Sequence, residues 1–320
     1  MTNAVPIIDL DPWWNGDDAE RAAVARSVDV ALQHSGFLLI TGHGVPPHEP
    51  RAVREAARTF FSLPEEVKRQ YAAAPNERGW LPPGAEANGY SEGTPTPPDL
   101  KESLSFGAET ATGDPAVDAR WYQPNPWPRE TPGLATPFRF YTVRMRSLAF
   151  HLMGLCAAAL DLPEGWFRSA LHNPTWTFNV NHYPPLSAVA APQPGQFRIG
   201  PHTDFGTLTL LDREPGAGGL QVCTADGEWV DAPYEPGALT VNVGDLLARW
   251  TGDRWLSARH RVLPPQPEAP DEDLLSLVFF YECDPSTVIE SMPAPIGRTS
   301  YPPVSAADYL DQQYRAISLG

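Results

Sequence analysis

The second half of the sequence is a series of short apolar runs, and this pattern restricts the possible folds more than any other feature. The runs are rich in β-branched and aromatic residues, and glycine, proline or aspartate separates each run from the next. Such runs predict β-strands joined by turns. Seven or eight strands that follow a helical segment are typical of a double-sheet jelly roll. The runs cover residues 176–183, 207–211, 220–223, 228–231, 238–243, 260–263 and 274–282.

The first half of the sequence predicts helices. Apolar residues recur near helical spacing over residues 17–35, and further helices are expected over residues 47–61, 64–71, 137–160 and 306–316. Residues 36–40 read as a buried strand, whereas residues 72–134 are rich in proline and glycine and predict a loop region with little regular structure. The expected fold class is α+β and mainly β, with a double-stranded β-helix (jelly-roll) core, an N-terminal helical layer and a C-terminal helix.

Two histidines and one aspartate in the strand-rich region have the composition of a metal site. One residue separates His202 from Asp204, and His260 begins a later predicted strand. Two imidazoles and one carboxylate form the facial triad that holds non-haem Fe(II) and leaves positions open for substrate and O₂. We predict that these three residues bind catalytic iron. The chain is then expected to be a single domain over 1–320, with a helical lead and loop region (1–170), an iron-binding jelly-roll core (171–300) and a C-terminal helix (301–320).

Many short motifs occur in the order of one known enzyme family. The strongest is GPHTDFGTLTLL at residues 200–211, which is followed by His260-Arg261-Val262. The sequence resembles the isopenicillin N synthase-like branch of the Fe(II)/2-oxoglutarate-dependent oxygenases over nearly its whole length. The other motifs are VPIIDL at 5–10, GFLLITGHGV at 36–45, FFSLP at 60–64, RGW at 78–80, DLKES at 99–103, PNPWP at 124–128 and NHYP at 181–184.

The resemblance implies both a reaction and a co-substrate. It implies Fe(II), O₂ and 2-oxoglutarate, and oxidation of an unactivated C–H bond of a small molecule in specialised metabolism. Hydroxylation is the expected outcome, and desaturation or cyclisation occurs in relatives. It also implies that 2-oxoglutarate is held through Asn181, Tyr183 and Ser276. Residues 181 and 183 are expected on one face of their strand because strand side chains alternate.

One position departs from the pattern of this family. The family anchors the distal carboxylate of 2-oxoglutarate with Arg-x-Ser on the strand after the second histidine, but this chain has Leu274-Leu275-Ser276. Strand alternation is expected to point Leu274 into the pocket beside Ser276. A carboxylate buried without a cation is strongly disfavoured, and no arginine or lysine occurs between Arg261 and Arg298.

This substitution leaves several interpretations open. Another cation, from Arg198, Arg249 or Arg298, reaches the pocket. Alternatively, the enzyme uses a different 2-oxo acid with an apolar tail. A third interpretation is an Fe(II) oxidase that needs no 2-oxo acid and takes its electrons from the substrate. The fourth is a catalytically silent binding protein, although such a protein has no need of three intact metal ligands.

Charge and cysteine content restrict the partners. The formal net charge is −16, which argues against nucleic acid because phosphate binding needs a basic face. Three widely separated cysteines, Cys156, Cys223 and Cys283, form no disulfide framework and fit a reduced cytoplasmic protein. No signal peptide or membrane-spanning run is visible. We expect a cytoplasmic monomer or dimer that binds a small-molecule substrate and neither nucleic acid nor membranes.

The sequence restricts the substrate least. An amino acid, a peptide and a secondary-metabolite scaffold all remain open. Candidates for meeting a substrate carboxylate or amine are Arg78, Lys101, Glu102 and Ser103. Candidates for an apolar pocket wall are Trp80, Tyr90, Phe205 and Phe280. Of these, Arg78, Phe205 and Phe280 are the predicted substrate-binding residues, and Phe205 is favoured because it directly follows Asp204.

Overall fold

The computed structural model describes residues 4–73, 77–89, 96–189, 192–217 and 219–317. The strands are β1 (Ile7–Asp9), β2 (Phe37–Thr41), β3 (Gly79–Leu81), β4 (Glu102–Gly107), β5 (Trp176–Tyr183), β6 (Ile199–His202), β7 (Leu208–Arg213), β8 (Leu220–Cys223), β9 (Trp229–Asp231), β10 (Leu239–Val243), β11 (His260–Val262), β12 (Leu274–Tyr281), β13 (Val288–Ile289) and β14 (Val304–Ser305). The helices are α1 (Asp11–Asn15), α2 (Asp18–His34), α3 (His48–Phe61), α4 (Glu65–Lys68), α5 (Pro115–Trp121), α6 (Ala135–Ala159), α7 (Asp245–Trp250) and α8 (Ala306–Ile317).

The strands form a large sheet and a small sheet. The large sheet has the order β1-β2-β10-β7-β12-β5-β4-β3, and the small sheet has the order β6-β11-β8-β9. Strands β13 and β14 pair separately. In the large sheet only the β1–β2 pair is parallel. One face of the large sheet meets helices α2 and α6, and strands of both sheets line a cavity between them.

Alternation along β12 divides the protein into a helix-side core and an interior between the sheets. Leu275, Leu277, Phe279 and Tyr281 are buried in the core cluster that also contains the apolar faces of α2, α3 and α6. The intervening side chains line a cavity between the two sheets; they are Leu274, Ser276, Val278 and Phe280. The period of two along a strand therefore sets which residues can reach the cavity.

The helical layer begins and ends at residues whose chemistry favours helix boundaries. Asp17 caps α2, and its carboxylate accepts from the backbone N–H groups of Ala19 and Glu20 at 2.9 Å each. The Glu20 side chain accepts in return from the Asp17 N–H, which completes a capping box. Helix α6 is 25 residues long and packs on α2, α3 and the large sheet. In the described part of the chain, no helix has both the length and the apolar character of a membrane span.

Regular structure within residues 72–134 differs from the predicted loop region. Strands β3 and β4 and helix α5 lie there, and β4 joins the large sheet beside β5. All six residues of β4 are buried although half of them are polar. The prediction was wrong because buried partners satisfy these polar groups, such as Lys68 and Trp80 for the Glu102 carboxylate. Strand β6 was also missed, because it contains Gly200 and Pro201 and these residue types are uncommon within strands.

Two phenylalanines on α6 offer a matched test of the helix-side core. Phe138 is 1% exposed and its ring lies 5.1 Å from that of Phe106, whereas Phe140 is 70% exposed. We predict that Phe138→Ala lowers the free energy of unfolding by about 3–5 kcal/mol. Phe140→Ala should change it by less than about 0.5 kcal/mol. Denaturant unfolding measures both values, and equal losses would contradict the assigned packing of α6.

Candidate active site

Three potential metal ligands meet where β6 pairs with β11. His202 ends β6 and His260 begins β11, and the antiparallel register places the two residues opposite each other. The Asp204 Oδ1 atom lies 3.8 Å from His202 Nε2 and 3.7 Å from His260 Nε2. One ligand atom from each residue lies within 4.8 Å of the others, and no other such group of three occurs in the described ranges. The predicted residues are therefore brought together.

Backbone carbonyl groups orient both imidazoles. His202 Nδ1 lies 2.8 Å from the Gly200 oxygen, and His260 Nδ1 lies 3.1 Å from the Ala258 oxygen. A carbonyl oxygen only accepts, so Nδ1 carries the proton and Nε2 presents its lone pair. Burial, with a smaller effect of His202, lowers the pKa of His260 and keeps its ring neutral near neutral pH. Neutral imidazole is the form that binds metal.

Two neighbouring side chains hold the Asp204 carboxylate. Asp204 Oδ2 accepts from Thr209 Oγ1 at 2.6 Å and from Asn242 Nδ2 at 2.7 Å. Burial raises the pKa of Asp204, but the two imidazoles and these hydrogen bonds more than offset it, and the net pKa is lowered. The carboxylate is thus ionised with Oδ1 directed at the histidines. Sequence reasoning missed Thr209 and Asn242, for which the available signal was a polar residue within a buried apolar strand.

Asp245 connects the segments that precede the ligands. Its carboxylate accepts from Thr203 Oγ1 at 3.2 Å, from Ser257 Oγ at 2.5 Å and from the Tyr309 hydroxyl at 3.2 Å. Its backbone N–H donates to the Asp204 carbonyl oxygen at 2.8 Å. This network ties the loops of the first and second histidines to α8. Sequence reasoning gave Asp245 no role, because its partners lie far apart along the chain.

A cavity of about 300 Å³ between the two sheets begins at the three ligands, and we call it the inner cavity. Asn181, Tyr183 and Ser276, the residues expected to hold 2-oxoglutarate, line it together with Leu274. Ser103 Oγ donates to Asn181 Oδ1 at 2.8 Å, which fixes the Asn181 amide. The Tyr183 hydroxyl is hydrogen-bonded to Ser276, and burial raises the pKa of Tyr183, so the hydroxyl keeps its proton.

A second cavity of about 180 Å³ lies on the other side of the ligands, and we call it the outer cavity. Both cavities are bordered by Asn181, Ile199, His202, Asp204 and Phe280. Glu282 also borders the outer cavity; burial raises its pKa to about 8. Its carboxyl group approaches Gly206 so closely that a Cβ there would lie 1.8 Å from Glu282 Oε2, so a larger residue at position 206 would displace the Glu282 carboxyl group.

The three predicted substrate-binding residues lie at the same cavity. Arg78, Phe205 and Phe280 all border the outer cavity. The Arg78 guanidinium donates to the backbone oxygens of Ala108 and Trp121 at 2.6 and 2.8 Å, which also gives it a structural role. Their roles in substrate binding stay predictions.

Four of the remaining candidates, Lys101, Glu102, Ser103 and Trp80, belong to buried polar networks. Lys101 pairs with Glu86 and also donates to Ser103 Oγ at 3.0 Å. Glu102 accepts from Lys68, Trp80 and His182, so it serves the core rather than a cavity. Trp80 is fully buried and borders neither cavity. Tyr90 lies outside the described residues.

The arginines considered as substitutes for the missing anchor occupy three different environments. Arg198 borders the inner cavity but pairs with Glu272 at 3.2 Å. Arg249 and Arg298 border neither cavity; they donate to the Pro302 oxygen and to Gln33 respectively. Arg213, which sequence reasoning did not consider, borders the inner cavity at the end of β7.

Two family models match the chain. One, described as the N-terminal region of the non-haem dioxygenase in morphine synthesis, matches residues 5–130. The other, described as the 2OG-Fe(II) oxygenase superfamily, matches residues 175–282. The second match contains all three ligand candidates and both flanking strands of the inner cavity, β5 and β12.

Individual relatives match over nearly the full chain. Validamycin A dioxygenase of Streptomyces hygroscopicus subsp. limoneus is 43% identical over 93% of this chain and 82% of the relative. The 2-oxoglutarate-Fe(II) type oxidoreductase hxnY of Emericella nidulans is 32% identical over 98% and 90%. A full-length Neurospora crassa protein, solved in complex with alpha-KG and thymine, superposes with a TM-score of 0.84 at 28% identity, covering 98% and 96%. These matches confirm the jelly-roll fold and favour 2-oxoglutarate dependence over the oxidase and binding-protein alternatives.

The hydrogen bond from Asn242 to Asp204 generates a prediction. Asn242→Leu keeps the number and branching of the side-chain heavy atoms but removes a donor that orients the carboxylate, so Fe(II) affinity should fall about 10–100-fold. Asn15→Leu on the exposed surface of α1 is the control and should leave the affinity unchanged. Anaerobic Fe(II) titration measures both dissociation constants, with thermal unfolding as the check on folding. Unchanged affinity in Asn242→Leu would refute the orienting role.

Proposed function

The chain is an Fe(II)/2-oxoglutarate-dependent dioxygenase that belongs to the 2OG-Fe(II) oxygenase superfamily, and we propose that His202, Asp204 and His260 are its iron ligands. The observation that carries this assignment is their convergence, with one ligand atom from each residue within 4.8 Å of the others. The donor set fits Fe(II), since two neutral imidazoles and one carboxylate leave open positions. Their opposite atoms are already occupied by hydrogen bonds, which directs the remaining lone pairs to one point.

The two cavities divide the reaction between two binding sites. When held by His202, Asp204 and His260, Fe(II) would supply, with 2-oxoglutarate and O₂, the oxidising chemistry for cleavage of a substrate C–H bond, and 2-oxoglutarate would become succinate and CO₂. In our proposal the inner cavity holds the co-substrate through Asn181, Tyr183 and Ser276, and the outer cavity holds the substrate. Phe280 borders both cavities and supplies an apolar wall that limits water at their junction.

The chemistry of the outer cavity supports a polar substrate with hydroxyl or amino groups. Asn179 Oδ1 is buried and lacks a hydrogen-bond partner among the described residues. Glu282 is buried as well, and its carboxyl group accepts from the Thr207 N–H at 3.1 Å. Buried polar groups are normally satisfied, so a substrate that donates to both would complete them. The apolar rings of Phe205 and Phe280 would then contact its carbon skeleton.

We also propose a domain organisation, a cellular location and an oligomeric state for the protein. We place residues 1–320 in a single oxygenase domain, with residues 1–170, 171–300 and 301–320 as its three segments. The acidic charge and the three free cysteines support a cytoplasmic monomer or dimer that binds neither nucleic acid nor membranes.

Iron binding tests the ligand assignment. We predict that His202→Ala and His260→Ala each weaken Fe(II) affinity by about 100-fold or more, because loss of a ligand exceeds the loss expected for an orienting partner. His172→Ala is the control, since the His172 side chain is 71% exposed and lies away from both cavities. Anaerobic titration gives the affinities. Retention of wild-type affinity after loss of both His202 and His260 would overturn the assignment.

Validamycin A is the first compound to test as a substrate, because the 43% identical relative is named for it. We predict a product heavier by one oxygen atom, formed in a one-to-one ratio with succinate. Mass spectrometry and succinate quantification measure the two yields, and the His260→Ala variant is the negative control. Succinate formation no faster than without the compound, and no product, would exclude validamycin A as the substrate.

A further inference from the structure

One wall of the inner cavity is built by three neighbouring strands. Strand β12 lies between β5 and β7, and Ser276 is paired with Asn181 on one side and with Arg213 on the other. Leu274 is paired with Tyr183. Because strand side chains alternate, these five residues share the face that lines the cavity. Arg213 therefore borders the cavity close to Leu274, the position at which the family has its anchoring arginine.

Arg213 lacks an acidic partner. Its guanidinium donates to the backbone oxygens of Ala232, at 3.2 Å, and Pro233. Among the described residues, no ion pair within 4.0 Å includes Arg213. Three acidic residues border the same cavity, and each has other partners. Asp204 is a proposed iron ligand that accepts from Thr209 and Asn242, Glu214 pairs with Arg58 at 2.7 Å, and Asp231 accepts from Gln221 at 2.9 Å.

Burial makes this arrangement costly without an anion. Desolvation lowers the pKa of Arg213, and the interactions that oppose it come from Tyr234 and Tyr183 rather than from a carboxylate. A cation that is largely removed from water is stabilised when a carboxylate pairs with it. Arginine is also suited to this task, because its planar group can donate two parallel hydrogen bonds to a carboxylate.

The other cation at the inner cavity is already neutralised. Both terminal nitrogens of Arg198 donate to Glu272 Oε2, at 3.3 and 3.2 Å. The Arg198 group also lies 5.5 Å from the centre of the Tyr183 ring, so the aromatic face contacts the charge that Glu272 already pairs. Of the two arginines that border this cavity in the described part of the chain, Arg213 is thus the one whose charge lacks a carboxylate partner.

We propose that Arg213, together with Tyr183 and Ser276, binds the distal carboxylate of 2-oxoglutarate and so replaces the arginine absent from position 274. This inference rests on the proposed function, because it assumes that the proximal end of the co-substrate lies at the three ligands. The cation has moved to the adjacent strand, and Leu274 fills the space beside Tyr183. The inner cavity is consequently selective for a dicarboxylic 2-oxo acid rather than one with an apolar tail.

Co-substrate binding tests this proposal. The Fe(II)-loaded protein is titrated without oxygen, and the visible charge-transfer band of the chelated 2-oxo acid reports the dissociation constant. 2-Oxopentanoate has the same chain as 2-oxoglutarate without the distal carboxylate. We expect wild-type protein to prefer 2-oxoglutarate by about 100-fold or more. Arg213→Leu should lose this preference, because its affinity for 2-oxoglutarate falls while its affinity for 2-oxopentanoate does not.

Further variants separate a specific anchor from a general effect on folding. Arg213→Lys keeps the charge but loses the paired donors, so a smaller loss of about 10-fold is expected. Arg249→Leu is the matched control, since Arg249 borders neither cavity. The double variant Arg213→Leu with Leu274→Arg should regain at least about 10-fold of the lost affinity, because it returns the cation to the neighbouring strand. Fe(II) affinity and thermal unfolding are measured for every variant.

The possible results distinguish failure of the Arg213 proposal from failure of the proposed function. Absence of a band in wild-type protein that binds Fe(II) would contradict 2-oxoglutarate binding at the proposed site, and the inference with it. A band whose dissociation constant is the same in wild-type and Arg213→Leu would overturn the inference alone. Loss of the preference in Arg198→Gln, with Arg213→Leu unaffected, would assign the anchor to Arg198 instead.

Discussion

The antiparallel pairing of β6 with β11 is the interaction on which the active site depends. It places His202 opposite His260 although the two residues lie far apart along the chain. Each histidine is then oriented by a carbonyl oxygen two residues before it, so the same local device acts on both strands. The large sheet completes the site, because Thr209 of β7 and Asn242 of β10 orient Asp204. The proposed iron site thus requires both sheets to be assembled.

The buried polar groups of the protein fall into two classes. Some are satisfied within the protein, such as Asp245 with its three hydroxyl donors and Glu102 with Lys68 and Trp80. Others face a cavity with their capacity incompletely used, and Arg213 is the clearest case. Since buried polar groups are normally paired, the first class explains rigidity and the second indicates where ligands bind. Incomplete pairing of a buried group thus indicates that Arg213 binds an anion and that Glu282 accepts from a hydrogen-bond donor of the substrate.

Local patterns in the sequence predicted the parts of the site that local geometry determines. The one-residue spacing places His202 at the end of β6 and Asp204 in the loop directly after it, and the shared face of Leu274 and Ser276 follows from side-chain alternation along β12. Arg213 was missed because the predicted strand ended at residue 211 and because its role depends on its pairing with Ser276, which no local pattern encodes. Strand β4 was missed because its polar residues are paired only after the chain has folded.

The most direct test of this account is a crystal structure of the protein with Mn(II) in place of Fe(II) and with 2-oxoglutarate. We expect the metal to contact Nε2 of His202, Nε2 of His260 and Oδ1 of Asp204, with the 2-oxo acid group on the metal and the distal carboxylate on Arg213. A metal bound elsewhere, or 2-oxoglutarate lying outside the inner cavity, would contradict it.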